Sequence, residues 1–172
     1  KLAKDIKSLS AYLGDIPTAV NSALDSNENV LVEGTQGTHL SLWHGTYPYV
    51  TSKDVTASAI CSDIGLGPKK VDEVLVIFKS YVTRVGSGPM DNELTPEETS
   101  KKGWSEVGTV TGRQRRAAEF DFDLARRSIM LNSATQIAIT KLDVLFPDCA
   151  NKTSFDALAN DAKSFIKKIE ER

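Results

Sequence analysis

The chain reads as α/β, with a largely parallel sheet and flanking helices. Three observations predict this. Short apolar runs at 30–32, 74–78 and 137–140 are bounded by turn residues and are too short for core helices. Stretches with helical spacing alternate with them. Polar, glycine-rich or charged clusters follow the runs at 34–38, 85–88 and 141–143, where sheets of this kind bind ligands.

Each element has a local reason. Leu2, Ile6, Leu9 and Leu13 recur on one helical face, closed by Gly14. Residues 16–26 predict a second short helix, with Pro17 tolerated in its first turn. Asn27-Glu28-Asn29 is a turn, and Val30-Leu31-Val32 a buried strand. Residues 56–64 predict one or two helical turns, stopped by Gly65-Leu66-Gly67-Pro68. The strand at 74–78 is expected to continue or pair through 81–85, ending at Gly86-Ser87-Gly88-Pro89. Residues 91–103 are polar and carry Pro96, which predicts a mobile surface loop or lid. A helix is expected over 121–133, with Asp121 and Asp123 complementing its N-terminal dipole. Residues 137–140 predict a buried strand. Thr153 or Ser154 is expected to cap a last helix striped by Phe155, Leu158, Ala159, Ala162, Phe165, Ile166 and Ile169.

The 172 residues suit one domain with a sizeable core. A net charge of −2 supplies no global field for polyanions, so any basic site is local. Cys61 and Cys149 lack metal spacing and read as free thiols. No run approaches the ~20 apolar residues of a membrane span, and a cytoplasmic protein is expected. The chain starts at Lys1 without an initiator Met and ends without a clear stop signal, so it is expected to be part of something longer.

Several segments carry chemistry. In Thr140-Lys141-Leu142-Asp143, one carboxylate can accept the two adjacent donors of guanine, while the lysine stem lies along the purine face. The bland alternative is a surface Lys/Asp pair. In 108–116, GTVTGRQRR, small residues let a backbone approach anions, and arginine forks match carboxylate or phosphate. Arg113 and Arg115 alternate and can serve two anions; a solvated loop or a nucleic-acid patch remains open at this point. No second basic cluster or aromatic platform supports nucleic acid. In 33–38, Gln36 can donate and accept at once, which suits a lactam-like base edge, and Thr38 and Thr51 are hydroxyls near glycines. His39 and His44 read as structural histidines or acid/base groups, and Trp43, Tyr47 and Tyr49 as packing residues.

Taken in order, these blocks resemble the adenylosuccinate synthetases. The resemblance covers Glu33-Gly34-Thr35-Gln36-Gly37-Thr38, His44-Gly45-Thr46-Tyr47-Pro48-Tyr49-Val50-Thr51-Ser52, Gly65-Leu66-Gly67-Pro68, the block 83–89, Thr111-Gly112-Arg113-Gln114-Arg115-Arg116, and 140–145. It implies an α/β fold, part of a larger synthetase-like domain, usually a homodimer. It implies the joining of IMP to L-aspartate with GTP and Mg²⁺. By matching positions it implies IMP contacts from Gln36, Thr51, Val85, Gly86 and Arg113. It implies aspartate contacts from Val110, Thr111, Gly112, Arg113, Gln114 and Arg115, and GTP contacts from Arg115, Lys141 and Asp143. No metal ligand and no catalytic acid or base of the family matches here. The family's N-terminal phosphate loop and its late guanine-contacting segment have no counterpart in these residues, so those groups are expected outside this chain.

Departures are specific. Many members have Thr where Val110 stands, Arg where Gln114 stands, and acids where Ser41 and Trp43 stand. The stretch from Leu145 to Thr153 is short, as in a short-form enzyme. The reading is therefore a GTP-dependent ligase of purine synthesis in incomplete form. A non-catalytic nucleotide- or anion-binding fragment or paralogue is the alternative.

Overall fold

The computed structural model describes residues 6, 8–110 and 112–171. In chain order the helices are α1 (Ile16–Asp25), α2 (Ala57–Asp63), α3 (Pro96–Lys101), α4 (Phe122–Asn132), α5 (Leu142–Leu145) and α6 (Asn160–Glu170). The strands are β1 (Leu75–Lys79), β2 (Val82–Arg84), β3 (Arg116–Ala118) and β4 (Gln136–Thr140).

β1 and β4 run parallel, from Leu75 opposite Gln136 to Lys79 opposite Thr140. β2 and β3 form a separate antiparallel ladder, with Arg84 opposite Arg116. The α/β expectation and its parallel pair hold. The crossover from β1 to β4 contains the second ladder, and α4 returns the chain along β1. α4 starts where predicted: the Asp121 carboxylate accepts from the backbone N–H groups of Asp123 and Leu124. α2 is capped by Thr56 in the same way, through the N–H of Ala59.

Two aromatic groups organise the interior. Tyr81 and Trp104 stack at 4.6 Å with planes 10° apart, against Ala117, Leu94, Val144 and Leu145. Burying such rings is worth about 2–3 kcal/mol each. Phe120 meets Phe78, Phe122 and Phe165 edge-on, at 6.0, 5.0 and 5.2 Å, which joins β1, α4 and α6.

Several expectations need correction. Residues 30–32 form no strand, and Leu31 is 95% exposed, because no described strand offers them a ladder. The run at 74–78 does not extend through 81–85. The chain bends at Ser80 and Tyr81, both buried, and the second piece joins the other ladder. Residues 91–103 are not a bare loop. Thr95 and Glu98 form a capping box that starts α3, while Thr99 and Trp104 are buried. The last helix is capped by neither Thr153 nor Ser154. It begins after Ala159, and Phe155–Ala157 is a separate 3₁₀ turn. The strand at 137–140 is only partly buried, since β4 has a single neighbour and Ile137 stays exposed.

The first predicted helix falls partly outside the described residues. Residues 8 and 9 are helical and Ser10–Tyr12 is a 3₁₀ turn, with Ile6, Leu9 and Leu13 exposed. Trp43, Tyr47 and Tyr49 are exposed rather than packed, because no described element covers them. Cys61 and Cys149 are free, the second buried.

Candidate functional site

The end of β1 is a junction. Lys79 and Tyr81 bond to Glu106, and Ser80 bonds to the turn after β4. Lys79 Nζ donates to Thr83 Oγ1 at 2.7 Å and to Glu106 Oε2 at 2.6 Å. Tyr81 Oη donates to Glu106 Oε1 at 2.8 Å. The Ser80 hydroxyl donates to the Lys141 carbonyl at 2.7 Å. β1 thus reaches both the arginine-rich loop and the turn after β4.

Glu106 is the hub of the first connection. Burial pushes its carboxyl up, but hydrogen bonds from Lys79 and Tyr81, with the charges of Lys79 and Arg115, outweigh that and leave it below the ordinary range. Burial, then the negative charges of Glu106 and Asp143, pushes the Tyr81 hydroxyl up to about 12. The phenol therefore stays a donor. Two cations share one carboxylate, since Arg115 Nε stands 3.8 Å from Glu106 Oε2. That Nε is buried and makes no hydrogen bond. The cluster keeps one positive charge in excess, on the arginine that the loop presents.

The second connection places the base-reading candidates. Lys141 and Asp143 are exposed at the start of α5, and Lys141 takes a left-handed conformation with φ 63°.

A third cluster shapes the glycine turn after β2. Arg84 Nη2 donates to the Tyr49 carbonyl at 2.7 Å, and Nε to the Ser87 carbonyl at 3.0 Å. Both Nη atoms reach Thr46 Oγ1 at 3.2 Å. Arg116 Nη1 donates to the carbonyls of Gly86 and Gly88 at 3.0 and 2.9 Å, while its other nitrogens grip Glu93. Gly88 is required here: φ is +120°, and a Cβ would come within 2.5 Å of the Arg84 guanidinium. Between this turn and the loop lies an open depression of about 540 Å³, lined by Gly86, Ser87, Gly88, Arg113, Gln114 and Arg116.

The predicted residues therefore sort into groups. Gly86, Arg113 and Gln114 meet at one depression, and Val85 precedes it, exposed. Arg115 points into the Glu106 cluster, and Val110 is 97% exposed at the loop's tip. Thr111 lies outside the described residues. Lys141 and Asp143 line no part of that depression. Gln36 is exposed with φ 72°, and also lies apart from it. The Thr51 hydroxyl is committed to the Leu40 carbonyl at 2.7 Å, so it stiffens its own loop. Thr38 Oγ1 accepts from Asn132 at 3.0 Å. His39 is structural, with Nε2 3.1 Å from both the Leu124 carbonyl and Ser128 Oγ. The Ser41 hydroxyl donates to Asp54 at 2.7 Å and accepts from the N–H groups of Trp43 and His44.

Sequence reasoning missed Ser80, Arg84 and Glu106 and left Arg116 without a role. Glu106 is a lone acid in Trp-Ser-Glu-Val, and Ser80 interrupts an apolar run. Neither has a local signal, because their partners are distant in the chain.

Among the described residues no group of three His, Cys, Asp or Glu side chains is placed to hold a metal ion. Among them, too, no helix is long and apolar enough to cross a membrane.

Comparison with known proteins gives a consistent picture. The chain is 57% identical over 171 residues to the adenylosuccinate synthetase of Methanocaldococcus jannaschii, covering 99% of this chain and 50% of that protein. It is 56% identical over 172 residues to that of Thermococcus onnurineus, covering 100% of this chain and 51% of the relative. The chain thus spans about half the length of the curated relatives it matches. Among solved structures, fully ligated adenylosuccinate synthetase from Plasmodium falciparum aligns with a TM-score of 0.88 at 30% identity, over 95% of this chain and 50% of that one. The succinoaminodeoxyadenylate synthetase of cyanophage S-2L, bound to dGMP and dATP, aligns with a TM-score of 0.70 at 25% identity, over 91% and 45%. The family model described as adenylosuccinate synthetase matches residues 1–147, and the chain belongs to the adenylosuccinate synthetase family.

Proposed function

We propose that this chain is part of a synthetase that joins IMP to L-aspartate at the expense of GTP, in the cytoplasm and as a homodimer. The observation that carries the reading is the meeting of Gly86, Arg113 and Gln114 at one depression, in a chain whose relatives over its whole length are synthetases. The proposed chemistry has two steps. A base outside these residues takes the N1 proton of IMP, O6 attacks the γ-phosphorus of GTP, the bond from that phosphorus to the β–γ bridging oxygen breaks, and GDP leaves. The aspartate amine then attacks C6, the C6–O bond breaks, inorganic phosphate departs, and the amine sheds its proton to give adenylosuccinate. An enolate-like oxygen is a poor leaving group until phosphorylated, and positioned cations stabilise the transfer.

The proposed roles are those the family resemblance implies. IMP is assigned to the 85–86 backbone at the depression, with Gln36 as a contact from a separate loop and Thr51 stiffening its own loop through Leu40. The 110–115 loop covers aspartate, with Arg113 between aspartate and the IMP ribose. Arg115, whose Nε sits against Glu106, is assigned to the GTP phosphates. Lys141 and Asp143 read guanine. Magnesium, when bound, would supply neutralisation of phosphate charge. Among the described residues no set of side chains fits a magnesium site, so no step is derived through the ion, and its ligands, like the acid and base, are assigned outside these residues.

The test is a product assay on the full-length protein. Adenylosuccinate, GDP and phosphate are expected in equal amounts from IMP, GTP and aspartate. GTP hydrolysis without adenylosuccinate would favour a nucleotide-binding relative instead.

A further inference from the structure

Ser80 is fully buried, yet its hydroxyl serves a segment 61 positions away. Oγ donates to the Lys141 carbonyl at 2.7 Å, and the Ser80 N–H donates to the Thr140 carbonyl at 2.9 Å. One residue thus holds two consecutive carbonyls of the same turn. Within the turn the Lys141 carbonyl also accepts from the Val144 and Leu145 N–H groups at 3.1 and 3.2 Å, so Ser80 is the contact that ties this carbonyl to β1. Lys141 is left-handed, with φ 63° and ψ 22°, and no side chain caps the helix it starts. Such a conformation persists in a lysine only when its surroundings over-determine it. The Lys141 backbone also sets the angle between its own stem and the carboxylate of Asp143, two positions on.

We propose that Ser80 is a specificity-determining positioning residue, fixing the 140–143 turn so that Lys141 and Asp143 meet the face and edge of one purine together. This rests on the reading of Lys141 and Asp143 as guanine contacts. Ser80 itself touches no nucleotide. Were it only a satisfied core hydroxyl, its loss would lower stability and leave nucleotide choice alone.

The experiment uses the full-length synthetase that contains this chain. Ser80→Ala and the nearly isosteric Ser80→Cys are compared with wild type and with Asp143→Asn. The readout is the ratio of kcat/KM for GTP to that for ITP, which lacks the 2-amino donor, at a temperature where circular dichroism shows each variant folded. Ser80→Ala is expected to lower this ratio roughly 3- to 10-fold, the span of one net hydrogen bond. It should act more through KM for GTP than through kcat, and leave KM for IMP within about two-fold. Ser80→Cys, with a weaker donor, should fall between. An unchanged ratio in both Ser80 variants, beside a collapsed ratio in Asp143→Asn, overturns the positioning role and leaves the base reading intact. A wild-type ratio in Asp143→Asn overturns the base reading and this proposal with it.

Discussion

Arg115 Nε lies 3.8 Å from Glu106 Oε2, buried and without a hydrogen bond of its own. The same carboxylate is already occupied by Lys79 and Tyr81. Glu106→Gln keeps the shape and removes the charge. Lys79 and Arg115 then face each other uncompensated, and the loss should be about 1.5–3 kcal/mol of stability. The pH dependence has a definite sign. The folded carboxyl is depressed, so its contribution is complete above the ordinary glutamate value of 4.5 and disappears as pH falls through the lower folded value. Urea unfolding from pH 3 to 7 should show a shallower acid loss in Glu106→Gln than in wild type (roughly the depressed-carboxylate share). Parallel curves would remove Glu106 from the account.

Arg116 joins Glu93 to the carbonyls of Gly86 and Gly88. A lysine has no fork with which to hold all three. Arg116→Lys should loosen the glycine turn and raise KM for IMP about ten-fold, with kcat less affected. Steady-state kinetics with IMP varied checks this, and an unchanged KM counts against the clasp.

Asp143→Asn replaces a double acceptor by a group with one acceptor and one donor. In the full-length enzyme GTP should weaken by roughly 10- to 100-fold, and discrimination against ITP should relax. A competition assay between the two nucleotides decides it.

Asn132 is buried and makes three bonds. Its Oδ1 accepts from the Ala57 N–H at 2.8 Å, and its Nδ2 donates to Thr38 Oγ1 at 3.0 Å and the Ser128 carbonyl at 2.8 Å. Asn132→Ala leaves the Ala57 donor at the start of α2 without its partner. About 2–3 kcal/mol of destabilisation is expected. A denaturation midpoint equal to wild type would contradict it.

The 172 residues alone should form no adenylosuccinate from IMP, GTP and aspartate. The family's phosphate loop, acid and base are expected outside these residues. Turnover by this piece, measured against a boiled control, would show that it carries the acid/base groups after all.

Much of the architecture was legible because local chemistry and pattern agree. Thr56 and Asp121 precede helices that they do cap. The run 74–78 and the run 137–140 became the two strands of the parallel pair, each bound within one residue of its expected place. Where a strand needs a neighbour, pattern alone failed: Val30-Leu31-Val32 has strand composition and no ladder. The capping box at Thr95 and Glu98 was a readable signal, obscured by the polarity of its surroundings.

The candidate ligand segments share that division. GTQGT, TGRQRR and TKLD announce their chemistry through residue type and order along the chain, since a carboxylate, a guanidinium fork and a glycine turn each have few uses. Their family was legible for the same reason. What holds those segments was invisible to any window of sequence. Ser80 bonds across 61 residues, Glu106 across 25 to Tyr81, and Arg84 across 35 to the Tyr49 carbonyl. Hydrogen bonds and ion pairs act over a few ångströms of space, whatever the separation along the chain, so the supports of the site emerged only when β1, the arginine loop and the turn after β4 were folded against one another.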